Sequence, residues 1–130
     1  MPERTSTGAW VVTLVRAGYG VGLVCAPGVL ITLTGQRAGA DRPRPSRRAC
    51  GVARVLGVRH LVQAGLTAAA LRAAEADSSL PLGLGAGVDV LHATTMVGLA
   101  AVDRGARRVA LADTGVELAL AAAGLVTAAQ

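Results

Sequence analysis

Arg16, Arg54 and Arg59 lie inside long apolar stretches of this 130-residue chain, as do Asp89, Asp113, Glu117, His60 and His92. Ionisable groups in apolar helices are costly unless they face one another or a cavity, where they form ion pairs, proton relays or metal sites. Three arginines balance three carboxylates here, and the two histidines can stay neutral. Asp89 and His92 are three positions apart, and Asp113 and Glu117 four, so each pair shares one helical face. Arg54 and Arg59 are five apart, roughly 140° around a helix, and should reach different neighbours. The spacing therefore favours a distributed network over one compact site.

Several kinds of chemistry could use these residues. Paired arginines and carboxylates can simply tie helices together, and a chain of Asp, Glu and His can carry protons. Asp89-x-x-His92 beside Asp113-x-x-x-Glu117 also offers the carboxylate and histidine donors that facing helices present to metals. Nearby arginines would repel a cation, however, so no metal and no cofactor are expected. Catalysis on a lipid-soluble substrate would need a lipid-sized cavity leading to Asp89 and His92.

The elements that must position these groups are long and apolar. The composition, 52% hydrophobic and only 16% charged, is too apolar for an ordinary soluble domain of this size. Helices are expected over about 9–34, 49–71, 80–102 and 109–129, with Pro27 kinking the first and Trp10 at the membrane interface. Arg16 interrupts the first apolar segment and no A-x-A site follows, so the segment is expected to be retained. The fold class expected is all-α: an integral membrane four-helix bundle forming a single domain.

All thirteen basic residues are arginine, and eight of them lie in loops 35–48 and 103–108. The net charge of +5 therefore reflects membrane topology, and no nucleic acid is expected as a partner. The positive-inside rule places both loops in the cytoplasm and both termini outside, N-out/C-out. Arg42, Arg44, Arg47 and Arg48 are topology determinants that could also contact anionic lipid headgroups or a partner's acidic surface. Cys25 and Cys50 do not make a disulfide framework.

Depth along the helices pairs Arg54 with Asp113 or Glu117, Arg59 with Glu117 or Asp89, and Arg16 with Asp89. Gly18/Gly22 and Gly83/Gly87 have the spacing that allows close helix approach. Gln63, Thr94 and Thr95 read as interhelical hydrogen-bond partners, Tyr19 and Met96 as packing residues.

The stretch 53–66 (ARVLGVRHLVQAGL), then 88–96 (VDVLHATTM) and 107–111 (RRVAL), resembles small uncharacterised integral membrane proteins of high-GC Gram-positive bacteria. Their R-x-x-G-x-R helix corresponds to Arg54, Gly57 and Arg59, and their D-x-x-H helix to Asp89 and His92. The resemblance implies an architecture and no activity. The function expected is that of a non-catalytic accessory or interaction subunit in a larger complex of the bacterial inner (plasma) membrane, partnered by other membrane subunits or by itself. The alternative is an oligomeric proton-linked transporter or channel using Asp89, His92, Asp113 and Glu117.

Overall fold

The computed structural model describes residues 3–34, 46–73, 79–104 and 107–129. Among them every regular element is an α-helix: α1 (Glu3–Cys25), α2 (Pro27–Thr34), α3 (Arg47–Arg72), α4 (Ser79–Val102) and α5 (Arg107–Ala128). The single first helix expected over 9–34 is therefore two. Pro27 has no N–H to continue the ladder of α1, but its fixed φ suits the first position of a new helix. The Ala26 carbonyl accepts from Val29 (3.1 Å) and Leu30 (3.2 Å) and starts α2.

The start of α3 is set by Ser46, whose hydroxyl accepts from the Ala49 N–H at 3.1 Å. This cap brings Arg47 and Arg48 into the first helical turn, two residues earlier than expected. Neither α3 nor α5 has an acidic residue in its first turn, and both open on paired arginines. Positive charge at a helix N-terminus opposes the macrodipole, so helix stability does not account for those arginines.

α1 packs most extensively on α3, and α4 on α5, while α1–α5 and α3–α4 contacts close the arrangement. Residue pairings show that these neighbours run antiparallel. Trp10 lies beside Arg72 and Gly20 beside Gly57; Gly8 meets Thr127, and Leu82 meets Gly124. The starts of α3 and α5 consequently fall at the same end of the molecule.

Among the described residues, three helical segments are long and apolar enough to cross a membrane: Thr7–Cys25, Ser79–Val102 and Ala110–Ala128. A bilayer's hydrocarbon core needs about 20 such residues. α3 is 26 residues long, but with Arg54, Arg59, His60 and Gln63 in its course it is not among the three. α3 is therefore the most polar of the four long helices.

The distribution of side chains is inverted relative to a water-soluble protein. Leu14, Val55, Leu66, Leu84 and Leu91 are each more than 60% exposed, whereas the largest fully buried side chains are His60, Asp89 and Glu117. An apolar exterior around a charged interior is stable when the surroundings are lipid. Buried threonines fit the same scheme, since Thr13, Thr114 and Thr127 each donate to the carbonyl four residues earlier and satisfy their hydroxyls within one helix.

Close approach occurs at glycines other than those expected. A Cβ on Gly57 would lie 2.7 Å from the Gly20 carbonyl oxygen, and one on Gly20 would lie 2.9 Å from that of Gly57. The α1–α3 crossing therefore requires a missing side chain on both helices. Gly18, Gly83 and Gly87 instead face open space, and Gly22 meets the Leu30 side chain.

Candidate functional site

Each long helix contributes at least one polar group to the interior. From α1 come Arg16 and Tyr19, three residues apart and hence on one face; α3 supplies Arg59, His60 and Gln63. Asp89 and His92 come from α4, Asp113 and Glu117 from α5.

Two guanidinium groups organise the centre. Arg16 forms an ion pair with Asp89, both side chains being buried. Arg59 bridges two helices: its Nη1 donates to Glu117 Oε1 at 2.7 Å, and its Nη2 reaches Asp89 Oδ1 at 3.5 Å and the Val88 carbonyl at 3.2 Å. Gln63 completes the shell of Asp89, its Nε2 donating to Oδ1 at 3.2 Å and to the Gly85 carbonyl at 3.0 Å. Arg16 therefore pairs with Asp89, and Arg59 with both carboxylates considered for it.

A second group lies along α5. His92 Nε2 stands 3.0 Å from Asp113 Oδ2 and 3.8 Å from Glu117 Oε1. The hydroxyl of Tyr19 donates to Asp113 Oδ1 at 3.0 Å, and its ring meets His60 edge-on with centroids 5.1 Å apart. His60 Nε2 is 3.2 Å from Glu117 Oε1, yet neither ring nitrogen is aligned with a hydrogen-bond partner among the described residues. Glu117 Oε2 is likewise buried without a partner. Glu117 joins the two groups, so the contacts run from Tyr19 through Asp113, His92 and Glu117 to Arg59, Asp89 and Arg16.

Arg54 does not belong to this interior. Its side chain is on the exposed surface, where Nε donates to the Val24 carbonyl at 3.3 Å. That carbonyl belongs to the last turn of α1 just before Pro27, and a guanidinium there caps a helix C-terminus. The expected pairing of Arg54 with Asp113 or Glu117 is therefore corrected, and with it the three-to-three charge balance. Among the described interior residues, two guanidinium groups, Arg16 and Arg59, face three carboxylates.

Other expectations have mixed outcomes. Gln63 is an interhelical partner, whereas Thr94 and Thr95 are exposed and donate to the Val90 and Leu91 carbonyls of their own helix. Tyr19, read as packing, binds Asp113 directly; its signal in the sequence was the shared face with Arg16. Arg47 is exposed in the first turn of α3. Arg42 and Arg44 lie outside the described residues.

Comparison with known protein families, curated sequences and solved structures gives no match.

Proposed function

We propose that this chain is a small polytopic protein of the bacterial inner membrane that acts as a non-catalytic accessory or interaction subunit of a larger membrane assembly. On this reading α1, α3, α4 and α5 form a four-helix bundle, held together by its buried arginine–carboxylate network, with α3 turning Arg59 and His60 toward the other helices. The paired arginines opening α3 and α5, at one end of the molecule, support a topology with that end in the cytoplasm and both termini outside.

The observation that carries the interaction role is the outer face of α4. Gly83, Gly87 and Gly98 have nothing within 4 Å of a Cβ position, and Leu84 and Leu91 stand exposed beside them. Small residues alternating with large apolar ones let another helix approach closely in lipid. Meanwhile Arg16, Arg59, Asp89 and Glu117 are engaged with one another. The test is affinity purification in native nanodiscs with mass spectrometry. A stoichiometric membrane partner is expected, and a chain recovered alone would contradict the role.

One observation favours the second reading, an oligomeric proton-linked transporter or channel. Tyr19 and His92 both contact Asp113, and His92 Nε2 lies 3.8 Å from Glu117 Oε1, which gathers four titratable side chains in the interior. A relay would lose flux in folded His92→Ala protein, whereas an accessory subunit would retain its partner.

A further inference from the structure

The interior holds buried polar atoms with no partner, and three of them lie on two neighbouring side chains, His60 and Glu117. Among the described residues, Arg16 Nε and Gln63 Oε1 are buried without a hydrogen-bond partner, and so, close together, are His60 Nδ1, His60 Nε2 and Glu117 Oε2. His60 and Glu117 are both fully buried. Orphaned polar atoms in a native interior call for an occupant such as water or an ion. These atoms adjoin His92, Asp113 and Glu117, of which one donor atom each lies within 4.8 Å of the others.

The geometry points to a divalent transition-metal site, with His92 from α4, Asp113 and Glu117 from α5, and His60 from α3 as the fourth donor. Donors around a tetrahedral zinc ion at about 2.0–2.1 Å stand about 3.3 Å apart. His92 Nε2 and Asp113 Oδ2 are 3.0 Å apart, and His60 Nε2 and His92 Nε2 stand 3.2 and 3.8 Å from Glu117 Oε1, the carboxylate oxygen next to the free Oε2. Mixed imidazole and carboxylate donors suit first-row divalent ions of the zinc type, whereas calcium or magnesium would call for oxygen alone. The second layer is also present, since Tyr19 donates to Asp113 Oδ1 and leaves Oδ2 for the ion.

Arg59 is the objection, and its position answers it. The guanidinium holds Glu117 Oε1 and leaves Oε2 as the free donor. With Arg54 outside, the interior has one carboxylate in excess, so a divalent ion changes the sign of the interior charge without enlarging it. The site does not depend on the accessory role, because an ion of this kind would brace α3, α4 and α5 whatever the protein's partner.

The experiment is metal loading of the purified full-length chain in nanodiscs, with its affinity tag removed. After chelation and dialysis the protein is titrated with Zn2+ and, in parallel, with Co2+, read by elemental analysis and by visible absorption. One equivalent per chain is expected, with the intense cobalt bands of a tetrahedral site. At least a tenfold loss of affinity is expected in His92→Ala and Asp113→Asn proteins that keep the wild-type helical circular dichroism. Arg54→Ala should bind as the wild type does. Failure of the folded wild-type chain to bind stoichiometrically would overturn the site, as would undiminished binding in folded His92→Ala.

Discussion

Arg16 on α1 and Asp89 on α4 form an ion pair in which the two side chains retain 5% and 0% of their exposure. Loss of Asp89 leaves the buried Arg16 guanidinium without its carboxylate, whereas Asp89 without Arg16 would still have Arg59 and Gln63. Asp89→Ala should therefore destabilise the protein by about 3–5 kcal/mol, while replacing both residues with apolar ones of similar volume should restore most of that loss. Unfolding in mixed micelles of dodecyl maltoside and SDS measures both. Equal losses in the single and double variants would show that the pair does not hold the fold.

Arg54 and Arg59 differ by five positions on one helix yet have opposite surroundings. Arg54→Ala removes an exposed contact to the Val24 carbonyl and should cost about 1 kcal/mol or less. Arg59→Ala strands Glu117 and loosens Asp89, so its loss should exceed that of Arg54→Ala by about 2 kcal/mol or more. The same unfolding assay ranks them, and the reverse order would place the network wrongly.

The α1–α3 crossing makes a steric prediction. Gly57→Ala would put a Cβ 2.7 Å from the Gly20 carbonyl, and a backbone neighbour cannot step aside like a flexible side chain, so a loss of about 1–3 kcal/mol is expected. Gly18→Ala enters open space and should be neutral or slightly stabilising. Equal melting temperatures for the two variants would mean that the helices do not cross at Gly20 and Gly57.

Much of this arrangement was legible because charges inside apolar helices have few partners. Asp89 and Arg16 could be matched by depth alone, and Arg59 could be narrowed to two carboxylates. Depth does not encode rotation around a helix axis, so depth alone assigns Arg54 to the interior with Asp113 and Glu117. The break at Ala26 was legible as a kink at Pro27, but not as two helices, because the carbonyl of Ala26 could either join α1 or start α2. The crossing at Gly20 and Gly57 was missed because spacing within each helix favoured Gly18/Gly22. The better signal was shared face: Gly20 lies four residues beyond Arg16, and Gly57 three before His60.

Topology gives a prediction independent of packing. On the proposed topology, which puts the arginine-rich ends of α3 and α5 in the cytoplasm, alkaline phosphatase fused after residue 130 should be active, and the same fusion within loop 103–108 inactive. The opposite pattern would invert the protein in the membrane.

In the proposed role the protein acts through its outer face while its charges hold it together. In-cell photo-crosslinking tests this most directly, with benzoylphenylalanine replacing Leu84 or Leu91 on the open face of α4. A discrete adduct to a second membrane protein from these positions is predicted, and the same adduct should persist when His92 is replaced by alanine. Adducts to lipid alone, from a chain shown to be folded in the membrane, would contradict the claim.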